Sequence, residues 1–229
     1  MDSTQVKNTN PPKHFWLGSL LIVGLLCACV SQIMIINVNN VLFQGSSNSM
    51  FLLSSSLMML LSLLPFKITD QYQLKFALII CFIVAVFLGY QYTFDIPTSN
   101  SAMLLPIWSQ LFFLSRPVAV GFGIAACVGY LLQSRNKDYH LDNHCHMLSL
   151  LAGTAFLVGE VAGNFWAFLG WGKSWGWTGH FYVSALTYLL LVLVFHLPKA
   201  WFNSASRLAL GKAVLLGFIC LLILGYKFS

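Results

Sequence analysis

GNFWAFLGWGKSWGWTGHFYVSALTYLLLVLVFHL, residues 163–197, joins a stretch rich in glycine and tryptophan to an apolar run that carries no Asp, Glu, Lys or Arg. The run is of the length that crosses hydrocarbon as a helix, and it sets the solvent in which the chain must be read. Composition agrees: 58% of the 229 residues are hydrophobic and 8% are charged, where a soluble domain carries about a quarter charged. Working outward, apolar runs fall at roughly 15–37, 50–66, 75–92, 107–133, 147–168, 181–197 and 208–226, the second and sixth being the shortest. The expected fold is all-α, a polytopic membrane bundle of about six or seven transmembrane helices in one membrane domain, residues 15–229. Pro106, Pro117 and Pro198 lie at or near span ends or interrupt a span, which a helix bundle absorbs and a barrel strand does not.

Basic residues orient the bundle. With the N-terminus in the cytoplasm, Lys7, Lys13, Lys67, Lys75, Arg135, Lys137, Lys199, Arg207 and Lys212 fall on cytoplasmic segments. Lys173 and Lys227 fall outside and Arg116 falls within a span, so the positive-inside rule predicts N-in and C-out. The expected location is the bacterial inner (cytoplasmic) membrane, with the tryptophan stretch at about 163–180 as an outward-facing loop. The net charge of +6 follows from this bias and makes no case for nucleic acid. The polar tail 1–14 reads as cytoplasmic, and the run behind it as an uncleaved anchor, since it continues well past Leu26-Cys27-Ala28-Cys29. Cys27, Cys29, Cys81, Cys127 and Cys220 lie in expected spans and no C-x-x-C pair occurs, which leaves disulfide and zinc chemistry without support.

Four of the seven tryptophans lie in 163–180: Trp166, Trp171, Trp175 and Trp177. Tryptophan at headgroup depth is the ordinary interfacial belt. The alternative reading is a floor for a flat macrocycle, in which Gly163, Gly170, Gly172, Gly176 and Gly179 let the backbone approach and the indoles supply planes. The order Gly159-x-x-x-Gly163-x-x-Trp166-Ala167, then Trp171-Gly172-x-x-Trp175-x-Trp177, resembles the WWD domain of the haem-handling family of cytochrome c assembly, the CcsA, CcmC and CcmF proteins. The likeness is closest to CcsA. Leu141-Asp142-Asn143 and Phe156-Leu157 before the loop, and Phe195-His196-Leu197 after it, are similar to that family's flanking segments. Phe43-Gln44-Gly45-Ser46-Ser47-Asn48 and Leu114-Ser115-Arg116-Pro117 resemble it more weakly.

The resemblance implies haem handling and delivery for cytochrome c maturation, as a component of a cytochrome c haem lyase. It implies haem as the group bound, a ResB/CcsB-type membrane partner, and an apocytochrome c whose thiols add to the vinyl groups. It also exposes departures. Thr178-Gly179-His180-Phe181 stands where the family has the Asp of WWD and Pro-Lys-Glu; Ser115 or Arg116 stands for the outward histidine of the fourth span; Leu224-Gly225-Tyr226-Lys227 stands where a second outward histidine is expected. These losses favour a second reading, a non-catalytic structural or haem-binding subunit of a larger membrane complex. A small transporter is a third reading, for which one Glu and one Arg within spans offer little of an ion relay.

The candidate haem-binding residues are Trp166, Trp171, Trp175, Trp177, His180, His196 and Arg116, with His180 and His196 as candidate iron ligands. His180 is the histidine expected on the outer face. His196 near the cytoplasmic end of its span serves either as a haem relay or as a helix-end residue before Pro198. Arg116 offers a planar fork to a haem propionate or pairs with Glu160 in the next span. His140, His144 and His146, with Cys145, are either a cytoplasmic reception site or polar residues of a short connector.

Overall fold

A computed structural model describes residues 47–63, 71–91, 107–135, 141–174 and 179–228. Among them there is no strand. Six α-helices follow in chain order: α1 Ser47–Leu61, α2 Gln71–Gln91, α3 Ile107–Arg135, α4 Asp142–Trp171, α5 Gly179–His196 and α6 Ala205–Phe228, with a 3-10 turn Lys199–Trp201 between the last two. In hydrocarbon the backbone must satisfy its own N–H and C=O groups, and a helix does so within one segment.

Four of these helices, α3 to α6, are long and apolar enough to cross a membrane, fewer than the six or seven expected. The first expected span, 15–37, lies outside the described residues. The second is a helix of 15 residues, short of the roughly 20 that a span needs; Pro65 disfavours helical backbone at the residue before it. The helix α2 is 21 residues long, with Gln73–Leu88 as its apolar stretch. The exterior is apolar and compatible with lipid contact: Phe82, Leu189, Val214 and Leu221 are all exposed.

The hub is α3, which packs on α1, α2, α4 and α6, while α5 packs on α4 and α6. The α3–α4 seam is the most extensive in the bundle. Along α4 the buried residues Cys145, Leu148, Ser149, Ala152, Gly153, Phe156, Gly159, Ala162, Gly163 and Ala167 recur every three or four positions, so one helical stripe, mostly of small side chains, faces its neighbours. Small residues let membrane helices approach closely, where dispersion is the main attraction available. Gly159 shows how closely: a Cβ built there would overlap the Ser115 side chain. Likewise a Cβ at Gly121 would lie 2.6 Å from the carbonyl oxygen of Ser55, which fixes the approach of α1 to α3.

The stretch expected to be loop from 163 is helical through Trp171. Gly163 and Gly170 do not break α4. It ends at Gly172, whose φ of 67° is left-handed and whose N–H donates to the carbonyl of Phe168, the usual close of a helix at glycine. Trp166 and Trp171 therefore stand on the last two turns of α4 rather than in a loop. Trp175 and Trp177, and Thr178 after them, lie outside the described residues.

Candidate functional site

At the end of the bundle where α3 begins, α4 ends and α5 begins, polar side chains from four helices meet. Arg116 lies on α3, one position before Pro117. Its Nη2 is 3.0 Å from Glu160 Oε1 on α4, an ion pair whose two side chains are each 18% exposed. The close packing of Gly159 on Ser115 brings the two backbones together and so puts the next residue of each helix, Arg116 and Glu160, within reach. The same Arg116 Nη2 is 2.9 Å from His180 Nε2, at the start of α5. His180 Nδ1 is 2.9 Å from the phenol oxygen of Tyr226, in the last turn of α6.

Donor chemistry fixes the histidine. A guanidinium only donates, so His180 Nε2 accepts from it and bears no hydrogen. The ring proton is then on Nδ1, and Nδ1–H donates to Tyr226. Both ring nitrogens are engaged in a neutral imidazole of one tautomer. Phe112, one helical turn before Arg116, is the apolar centre of the group: the guanidinium carbon lies 4.4 Å from its ring centroid, and its ring meets His180 at 6.0 Å. Such a cation–π contact contributes about 0.5–2 kcal/mol, more where water is excluded.

An aromatic wall continues from Phe112. It meets Trp166 at 6.0 Å between ring centroids, Phe113 meets Trp166 at 5.7 Å, and Trp166 meets Trp171 edge-on at 5.3 Å. Trp108 stacks on Phe165 at 5.3 Å. Trp166 is half-buried in this wall, and Trp171 is 55% exposed. Next to the polar cluster, and sharing Arg116 and Tyr226 with it, lies a pocket of about 250 Å³ whose lining also includes Lys227, Phe156, Val183, Ser184, Thr187 and Ile223.

The structure thus brings together Arg116, His180, Trp166 and Trp171. It does not bring His196 to them. His196 is the last residue of α5 and is exposed; sixteen residues of helix separate it from His180, about 24 Å at 1.5 Å per residue, so one iron cannot take both. Of the two residues standing for the fourth-span histidine, Ser115 is buried and donates to the carbonyl of Phe112, and Arg116 enters the cluster.

At the opposite end, His144 and His146 are helical, in the first turns of α4, rather than in a connector. His144 Nε2 lies 3.0 Å from the carbonyl oxygen of Ser62 and so holds the end of α1. Cys145 is buried against Gly129, His146 is exposed, and His140 lies outside the described residues. Among the described residues no group of three or more His, Cys, Asp or Glu is placed to hold a metal ion.

Phe112 and Trp108 were not singled out from sequence, and Tyr226 and Lys227 entered only within the stretch 224–227 that stands where a second outward histidine is expected. For Trp108 and Phe112 the signal is register, since they lie eight and four residues before Arg116 on its helix face; for Tyr226 it is the place its stretch takes in the family resemblance, where an outward histidine is expected. Comparison with family models, with curated proteins and with solved structures finds no match.

Proposed function

We propose that the chain is a haem-handling protein of the CcsA type, acting in cytochrome c maturation in the bacterial inner membrane, with its N-terminus cytoplasmic and the α4–α5 end outside. The observation that carries this reading is the convergence of Arg116, His180, Trp166 and Trp171 from three helices at one end of the bundle. That donor set suits an iron porphyrin: an imidazole for iron, a guanidinium for a propionate, and indole planes for the macrocycle. Trp175 and Trp177, outside the described residues, are proposed as haem-binding residues on the sequence resemblance alone, and His196 is proposed as a relay near the cytoplasmic face. A ResB/CcsB-type protein and an apocytochrome c are the proposed partners.

As described, the donors are turned onto one another: Arg116 holds Glu160 and His180, and His180 also holds Tyr226. This arrangement favours the second reading as well, in which the cluster is a clasp joining helices of a non-catalytic subunit. One experiment separates the two. Detergent-purified full chain made with ample haem is expected to carry haem or to gain a Soret band on titration. Changing Trp166 and Trp171 together to Ala is expected to remove that band with the helical circular dichroism intact. A wild-type protein that shows no Soret band and gains none leaves the clasp as the reading.

A further inference from the structure

We infer that capture of a carboxylate by Arg116 uncovers the Nε2 lone pair of His180, so that the site opens its imidazole to a ligand that brings its own carboxylate; this rests on the haem-handling reading and gives it a selectivity. Nη2 of a guanidinium carries two hydrogens. In this structure one faces Glu160 Oε1 at 3.0 Å and the other His180 Nε2 at 2.9 Å. A guanidinium offers carboxylates two forks, Nε–H with Nη2–H and Nη1–H with Nη2–H, and each fork uses one of the Nη2 hydrogens. A carboxylate that enters either fork must therefore displace Glu160 or His180 from Nη2.

The weaker partner yields. Both bonds are charge-assisted, since the guanidinium is the donor in each, but Glu160 adds the Coulomb attraction of an opposite full charge in a shielded ion pair, which the neutral imidazole lacks. Displacing His180 leaves its ring in the form an iron ligand needs. Nδ1–H remains on the Tyr226 oxygen, which keeps the tautomer and the orientation, as the outer hydrogen bond of a metal-bound histidine does. The pocket next to the cluster, with Phe156, Val183 and Ile223 in its lining, gives the chain behind an incoming carboxylate somewhere to lie.

The test uses the detergent-solubilised full chain and three probes: ferric protoporphyrin IX, its dimethyl ester, and hexanoate. The free-acid porphyrin is expected to give a histidine-ligated absorption and electron paramagnetic resonance spectrum that His180→Ala removes. The dimethyl ester is expected to bind with at least a tenfold smaller histidine-ligated share. In the Arg116→Met/Glu160→Gln double variant, which leaves no lone buried charge, acid and ester are expected to be ligated alike. Hexanoate alone is expected to shift the ¹⁵N resonance of His180 Nε2 in the wild type and not in the double variant. Equal ligation of acid and ester by wild type, or no shift with hexanoate, overturns the inference while haem handling stands. A hexanoate shift with no bound spectrum from either porphyrin sustains the carboxylate latch and overturns the haem reading.

Discussion

The two ends of the α3–α4 pair hold histidines of opposite design. At one end His180 is joined through Arg116 to Glu160 and through its other nitrogen to Tyr226, so α3, α4, α5 and α6 share one polar cluster. At the other end His144 bonds the backbone of Ser62 and meets the Phe76 ring edge-on, and His196 stands exposed at a helix terminus. His144 ties one backbone carbonyl to α4. The His180 cluster instead joins charged and neutral groups that donate and accept across four helices. In lipid the difference is sharper than in water, because an unshared charge there is expensive.

The comparison breaks first at the ion pair. Arg116→Ala, leaving Glu160 buried and unpaired, is expected to lower unfolding stability in detergent by about 3–5 kcal/mol, while Arg116→Met/Glu160→Gln together is expected to cost far less; thermal unfolding of the three proteins measures it. Equal losses in the single and double variants would show that the charge pairing is not what holds α3 to α4 there. Next in size, Gly159→Val is expected to destabilise by about 1–3 kcal/mol through overpacking against Ser115, and to disturb the Arg116–Glu160 distance as the helices part. His144→Ala, which removes the bond to Ser62 at the opposite end, is expected to cost about 1 kcal/mol and to leave porphyrin titrations unchanged. Smallest is His196→Ala: an exposed helix-end residue is expected to change stability by less than about 0.5 kcal/mol, so lowered haem loading in cells with unchanged melting would mark a relay. A cysteine placed at Ser174, labelled by an impermeant thiol reagent in intact cells, sharpens the comparison by assigning the α4–α5 end to the outer face; protection from the reagent assigns it to the cytoplasm.

Much of this was legible in sequence, and for a physical reason: hydrocarbon demands long apolar runs, so α3 to α6 announce themselves by length. Arg116 and Glu160 were legible for the converse reason, since a charge inside such a run needs a partner, and their pairing was one of two open readings. Tyr226 and Phe112 were not legible as site residues. On an apolar helix an aromatic ring serves lipid, core or site equally well, and no period distinguishes them. The extent of α4 was also misread, because Gly163 and Gly170 suggest a loop in water, whereas helix packing in a membrane tolerates and uses glycine. His144 looked like connector because its partner, Ser62, is 82 residues away and nothing local points to it.

The sparse anchoring of α5 has a mechanical consequence. Among the described residues it packs on α4 and α6 and is the least buried of the four long helices. Lipid tails are as apolar as leucine, so sliding or tilting this helix trades one apolar contact for another at little cost, and packing alone defines its position poorly. The tethers at its first turn, His180 to Arg116 and to Tyr226, are directional and do define it. If the proposed carboxylate latch holds, a ligand that displaces His180 from Arg116 releases α5 at its first turn, the corner where these directional contacts lie.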